Sequence, residues 1–112
     1  MDQVRLPHHR LQAYGVAVEL LRAVRAARVR DATLRDHAMR SAKSACLNAA
    51  EGAGRVSRAD KARVFGIARS EAGEAAAAVE IAVEAGDAEA GALEDVLRSA
   101  DRFIAMMTGL IR

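Results

Sequence analysis

The sequence contains few of the residues that β-sheets favour. Aromatic residues make up 3% of its 112 residues, tryptophan is absent, and β-branched residues are far fewer than alanines. Strands are built mainly from β-branched and aromatic residues, whereas alanine, leucine, arginine and glutamate favour helices. The composition therefore excludes an all-β fold and predicts an all-α protein.

Proline, cysteine and long apolar runs are also scarce. The one proline, Pro7, stands just before the first helical pattern, where a helix tolerates it. The one cysteine, Cys46, excludes an internal disulfide, and its alanine neighbours indicate a small core residue. No apolar run reaches the ~20 residues that a membrane-spanning helix needs, and we see no signal-peptide core. We expect a soluble, cytoplasmic protein with no membrane partner.

Apolar residues recur at alternating spacings of three and four in four stretches, which short polar or glycine-bearing breaks separate. The third stretch shows the pattern clearly, from Phe65 through Ala72 to Val79. The predicted helices cover residues 8–29, 32–53, 57–85 and 88–111. Helices of this length joined by short links must alternate in direction. The sequence therefore predicts one domain over residues 1–112, an up-down-up-down antiparallel four-helix bundle.

A polar stripe accompanies the small apolar face of the second stretch, and the third stretch offers partners for it. We name this set the polar seam: Ser44, Asn48, Glu51, Gly52, Ser70 and Glu74. Buried amides and carboxylates need hydrogen-bond partners. We therefore expect Asn48 and Glu51 to be largely buried, with Glu51 bonded to a helix-terminal amide, a serine or an arginine. Because no histidine or nucleophile stands at a compatible spacing from Glu51, we interpret the seam as structural.

Charge is unevenly distributed, although the formal net charge is only +2. Residues 1–69 carry 14 basic and 6 acidic side chains, whereas residues 70–112 carry 3 and 9. Such a division indicates either a nucleic-acid-binding face or basic helices that pair with acidic ones, within or between subunits. The candidate phosphate-contacting residues are Arg22, Arg25, Arg28, Arg35, Arg40, Lys43, Arg55, Arg58, Lys61 and Arg63. Because aromatic residues are almost absent between them, stacking on single-stranded bases is not indicated.

Patterns typical of metal, cofactor or catalytic sites are missing from the sequence. No glutamate is followed three residues later by a histidine, as di-iron bundles require. The segment Gly52-Ala53-Gly54 lacks the lysine and hydroxyl residue of a phosphate-binding loop. We therefore expect no metal, no cofactor and no catalytic residue, and we predict that the protein is not an enzyme.

Apolar residues on the fourth stretch are too many for one side of a helix. They are Leu93, Val96, Leu97, Phe103, Ile104, Met107, Leu110 and Ile111. A single monomeric core cannot readily cover both sides, and exposed apolar patches usually mark interfaces. We therefore predict a homo-oligomer with cyclic symmetry.

One segment of the second stretch resembles a known family signature. Ser44-Ala-Cys-Leu-Asn48-Ala-Ala-Glu51-Gly52 resembles the S-x-x-x-N-x-x-E-G motif of bacterial four-helix bundle proteins encoded within intervening sequences of 23S ribosomal RNA. Residues 54–70 and 11–20 are similar to that family's second block and first helix. His37 departs from it, because a glutamine is frequent there.

The resemblance carries expectations about assembly and partners. It implies a four-helix bundle that assembles into a ring, commonly a pentamer, and whose molecular activity is unsettled. The accessory variability proteins of diversity-generating retroelements are related bundles, which are basic, bind nucleic acid and partner a reverse transcriptase.

Two functions follow from these observations. The first is a non-enzymatic, homo-oligomeric interaction or adaptor protein whose basic surface binds structured RNA or a nucleic-acid-processing protein. The alternative is a purely protein-binding scaffold, in which the acidic helices of one subunit pair with the basic helices of its neighbour. The two differ in whether the basic surface stays exposed in the assembly.

Overall fold

The computed structural model describes residues 4–112, and this part of the chain forms α-helices and short 3-10 turns without a strand. The four α-helices in that range are α1 (Gln12–Ala26), α2 (Ala32–Gly54), α3 (Arg58–Glu84) and α4 (Leu93–Ile111). Each helix packs on the next, and α4 returns to contact α1. Because the links are short, neighbouring helices run in opposite directions. The predicted all-α, up-down-up-down four-helix bundle is confirmed.

The first helix is shorter than the predicted range of 8–29. Pro7–Arg10 forms a separate 3-10 turn, and the extended backbone of Leu11 (φ −87°, ψ 111°) divides it from α1. The turn is closed by its own side chains, since the N–H of Leu6 donates to His9 Nδ1 at 3.0 Å. Helix α4 likewise begins later than residue 88, after a 3-10 turn over Ala90–Ala92.

Side-chain caps set the starts of α2 and α3. Asp31 Oδ2 accepts a hydrogen bond from the N–H of Leu34 at 2.9 Å. Ser57 Oγ accepts one from the N–H of Asp60 at 3.1 Å. Both contacts satisfy backbone donors that the first helical turn leaves without partners. The starts of α2 and α3 therefore follow directly from two short polar side chains.

The bundle core has a small-residue side and a large-residue side. Alanines fill the α2–α3 interface, and those at positions 38, 42, 45 and 49 of α2 are fully buried. The largest fully buried side chains, Phe103, Leu20 and Met107, come from α1 and α4. Short side chains allow α2 and α3 to approach closely, so polar groups on their facing flanks come within bonding distance of each other. This packing positions the polar seam.

A helix that spans a bilayer has to be both long and apolar. Across residues 4–112, every α-helix falls short of the length or the hydropathy that crossing a bilayer requires.

Candidate functional site

The polar seam lies along the groove between α2 and α3. Asn48 Nδ2 donates to the backbone oxygen of Ser44 at 2.9 Å and to its Oγ at 3.1 Å. Farther along the groove, His37 Nε2 lies 3.9 Å from Glu74 Oε1. Within the described part of the chain, every buried side-chain nitrogen and oxygen has a hydrogen-bond partner. The Asn48 bonds therefore lie within α2, whereas His37 and Glu74 connect α2 with α3, and both contacts fit a structural role.

Glu71 joins the seam from α3, one helical turn before Glu74. Burial raises the pKa of Glu71, and a hydrogen bond with Glu74 and the charge of Glu74 raise it further. The Ser44 hydroxyl and His37 lower the pKa of Glu71, but their effects are smaller. Two carboxylates three residues apart on one helix face repel each other when both are ionised. The seam is therefore joined by a carboxyl group, that of Glu71, which ionises less readily than an ordinary glutamate side chain.

Glu51 does not belong to the buried part of the seam, so the prediction of its burial is wrong. Its side chain is 52% exposed and pairs with Arg55 Nη2 at 3.4 Å, which agrees with the predicted bond to an arginine. Asn48 is half-buried. Glu51 is more exposed than Asn48 because three residues turn a helix by about 300°, one full turn less about 60°. This offset of about 60° carries the Glu51 side chain away from the groove that holds Asn48.

The remaining predicted seam residues take different places. Ser70 is exposed, whereas Gly52 is buried against the ring of Phe65. His37 was not predicted as a seam residue, although the sequence carried a signal for it. It precedes Ser41 by four residues and Ser44 by seven, so it continues the same helical stripe toward the start of α2.

Four of the ten candidate phosphate-contacting residues lie at the α2–α3 turn. We name them the turn cluster: Arg55, Arg58, Lys61 and Arg63. All four have partners within the chain. Arg55 and Arg63 pair with Asp60 at 3.2 and 2.9 Å. Lys61 Nζ donates to the backbone oxygens of Ala53 at 3.0 Å and Gly52 at 3.4 Å.

The turn cluster therefore takes part in closing the α2–α3 turn. Lys61 satisfies carbonyls that the last turn of α2 leaves without helical partners. Arg58 Nη2 donates to the backbone oxygen of Arg112 at 2.8 Å and so ties the start of α3 to the end of α4. The hydrogen bond from Arg63, with the neighbouring Arg55, lowers the pKa of Asp60, which keeps that carboxylate charged.

Five other candidates have no acidic partner. We name them the basic surface: Arg22, Arg25, Arg28, Arg40 and Lys43. They are exposed on α1, α2 and the link between them, and none forms an ion pair within residues 4–112. Arg35, the tenth candidate, donates instead to the backbone oxygens of Val29 and Arg30 at 3.3 and 3.4 Å. The structure thus divides the predicted set into internally paired residues and residues open to an anionic partner.

Metal-binding and nucleophilic groups are not clustered in the described residues. Among residues 4–112, no three histidine, cysteine or acidic side chains are grouped so that they could hold a metal ion. Cys46 is buried, as the sequence indicated, and burial raises the pKa of its thiol. A thiol in such surroundings stays protonated and unreactive.

Comparison with known proteins identifies a family for this chain. The model of the 23S rRNA-intervening sequence protein family matches residues 10–109, which include α1, α2, α3 and all but the last two residues of α4. None of the curated proteins compared with the chain matches it.

Proposed function

This chain belongs to the 23S rRNA-intervening sequence protein family, and we propose that it is a non-enzymatic, oligomeric adaptor that binds structured RNA through its basic surface. Family membership supplies the fold. The nucleic-acid binding expected of accessory variability proteins, as bundles related to this family, supports a nucleic-acid ligand or a nucleic-acid-processing protein as partner. We place the protein in the cytoplasm, where RNA is available to it.

The observation that carries the proposal is that, within residues 4–112, no carboxylate oxygen lies within 4.0 Å of a cationic nitrogen of the basic surface. A guanidinium that already pairs with a carboxylate adds little to the external field, whereas an unpaired one attracts polyanions over a Debye length of about 8–10 Å. Arg22, Arg25 and Arg28 recur at every third position, so they line one side of α1 and its C-terminal link. Arg40 and Lys43 add two cations on the exposed side of α2.

The chemistry of these residues favours the phosphate backbone as the main point of contact. Arginine binds phosphate through two parallel hydrogen bonds, and such contacts give affinity without sequence preference. The paired regions of structured RNA present closely and regularly spaced phosphates, which suit cations displayed on a rigid helical surface. The turn cluster is a peripheral contributor, because Asp60 and Glu51 already neutralise part of its charge.

The test is a binding titration of a labelled RNA hairpin by fluorescence anisotropy at two salt concentrations. One variant carries Arg22→Gln, Arg25→Gln and Arg40→Gln. The matched control carries Arg63→Gln, Arg69→Gln and Arg98→Gln, which removes the same charge from residues that already bond within the chain. We expect the first variant to bind weakly and to lose up to about three units of the slope of log K against log salt. Equal losses in both variants would contradict the proposal, since only total charge would then matter.

Self-assembly is the second part of the proposal. Helix α4 buries Val96, Phe103 and Met107 in its own subunit, so much of its apolar surplus is covered internally. Leu97 and Leu110 nevertheless remain 41% and 43% exposed. Exposed leucines on two sides of one helix support contacts with neighbouring subunits. We propose a cyclic homo-oligomer, with five subunits favoured by the family resemblance.

A protein-binding scaffold is the second candidate function, and the acidic surface of α3 favours it. Glu80 and Glu84 are exposed and form no ion pair within the described residues. In a scaffold they would pair with the basic surface of a neighbouring subunit. The variant with Arg22, Arg25 and Arg40 replaced would then dissociate on size-exclusion chromatography, and the wild type would bind no RNA even at low salt.

A further inference from the structure

Three arginines meet around one pocket at the corner between α1 and α2. Arg25 and Arg28 approach it from α1 and the following link, and Arg35 approaches from α2. The cavity has a volume of about 240 Å³, and its floor includes Val24 and Val29, each only 3% exposed. The pocket therefore combines cationic walls with an apolar base.

Arg28 has a backbone conformation that residues with a β-carbon rarely adopt. It is the one residue other than glycine with a positive φ in the described chain, at 49°. This position follows the end of α1, where a helix usually closes with glycine because glycine has no β-carbon to clash. Non-glycine residues in this conformation are concentrated at functional sites, where the surrounding structure holds them in place.

Arg35 is held in a fixed orientation, whereas the other two arginines are free to bind. Its Nη1 donates to the backbone oxygens of Val29 and Arg30, so its planar group is anchored to the link between α1 and α2. Arg25 and Arg28 have no ion-pair partner in residues 4–112. Guanidinium planes stack on nucleobases as aromatic rings do. The scarcity of aromatic residues therefore does not prevent recognition of a base at this corner.

The size of the cavity limits the ligand to about one nucleobase. Typical small-molecule sites measure roughly 300–1,000 Å³, so this cavity is too small for a drug-sized ligand. An apolar floor suits the flat face of one base, and the two unpaired arginines at the rim suit the phosphates on either side of it.

We propose that this pocket accepts a single unpaired base, extruded from structured RNA, while Arg25 and Arg28 contact the flanking phosphates. The inference rests on the proposed RNA-binding function and adds a preference to it. RNA that contains a bulged or looped-out nucleotide binds more tightly than a continuous duplex with the same number of phosphates. The guanidinium of Arg35 forms one wall of the pocket.

Two RNA hairpins test this preference. One carries a single bulged 2-aminopurine, and the other has the same stem fully paired. We expect the wild type to bind the bulged hairpin about tenfold more tightly, because one stacked base contributes that order of affinity. Binding changes the 2-aminopurine emission, which reports directly on the surroundings of the extruded base.

Arg28→Gly separates ligand binding from folding. Glycine suits the positive φ at this position, so the melting temperature of the variant should equal or exceed that of the wild type. The variant should nevertheless show a reduced preference for the bulged hairpin, because Arg28 contacts a phosphate beside the extruded base while Val24, Val29 and Arg35 still line the pocket. The matched control, Arg98→Gln, removes one charge at a paired surface site and should keep the preference.

The outcomes distinguish the pocket from the wider function. Equal affinity of the wild type for both hairpins, or an undiminished preference in Arg28→Gly, overturns the pocket and leaves RNA binding intact. If the wild type binds neither hairpin at low salt, the proposed function fails and the pocket fails with it.

Discussion

Replacing Gly52 by alanine tests the contact that closes the α2–α3 hairpin. An ideal β-carbon at residue 52 would lie 2.5 Å from Phe65 Cε1 and 2.6 Å from its Cδ1. Real β-carbons essentially never approach other heavy atoms so closely, so the ring has to move. Phe65 is 4% exposed and belongs to the core, and a shift of its ring therefore disturbs its packed neighbours.

Two opposing effects set the size of the change. Overpacking a well-packed core costs typically about 1–3 kcal/mol. Exchanging glycine for alanine within a helix contributes up to about 1 kcal/mol in favour of folding. That gain is reduced here, because residue 52 lies in the last turn of α2, where helix propensity contributes less to stability than in the interior of a helix. The clash therefore dominates, and we expect Gly52→Ala to lower the free energy of unfolding by about 1–2 kcal/mol.

Thermal and urea unfolding followed by circular dichroism measure this difference. A loss of that size lowers the melting temperature by roughly 4 °C or more in a chain of this length. Gly73→Ala is the matched control, because residue 73 lies inside α3 and a β-carbon there meets no atom within 4 Å. We expect this control to stabilise the protein by about 0.5–1 kcal/mol.

A double-mutant cycle shows whether Phe65 causes the penalty. Phe65→Val removes the ring atoms that a β-carbon at residue 52 would strike, so Gly52→Ala should cost nothing in that background. Two results would contradict the close approach of Gly52 to Phe65. One is a Gly52→Ala variant as stable as the wild type, and the other is a penalty that persists when residue 65 is valine.

Two further predictions concern the polar seam and assembly. The folded-state pKa of Glu71 is raised, so its contribution to stability is lost as the pH rises through that pKa. Glu71→Gln should therefore have a higher melting temperature than the wild type at pH 7, and the difference should vanish below pH 4.5, the ordinary pKa of a glutamate side chain. A difference in melting temperature that is independent of pH would contradict this prediction. For assembly, light scattering at tens of micromolar should give a multiple of 11.9 kDa, and a monomer would refute the proposed ring.

The helices themselves are predictable because their signals are local. Apolar spacing of three and four, the caps at Asp31 and Ser57, and the glycines after the second and third stretches all lie within a few residues of the boundaries they set. The start of α1 was not predicted, although the contacts that set it are also local. A proline at the first helical position fits an α-helix and a 3-10 turn equally well, and bonds that Arg5, Leu6 and His9 make with one another select the turn.

The polar seam was predictable only as a stripe. Spacing along α2 identifies Ser44 and Asn48, but which end of the stripe turns into the α3 groove depends on how the two helices cross. Helix α3 follows the stripe toward the start of α2, so His37 gains Glu74 as a partner. At the other end α3 packs on Gly52 through Phe65, and the neighbouring Glu51 side chain lies beside that contact in solvent. A periodic pattern predicts which side chains share one face of a helix. How much of that face contacts a neighbouring helix depends on tertiary packing.

The unpaired state of the basic surface depends on tertiary contacts that local spacing does not contain. Glu19 precedes Arg22 by three residues, a spacing at which opposite charges on a helix normally attract. In the folded chain Glu19 pairs instead with Arg102 of α4 at 3.4 Å, and Arg22, which borders the same cleft, forms no ion pair within residues 4–112. The return of α4 against α1 therefore withdraws an acidic group from the basic surface. The positive character of this surface is thus a consequence of the bundle topology, since the sequence alone would have neutralised part of it.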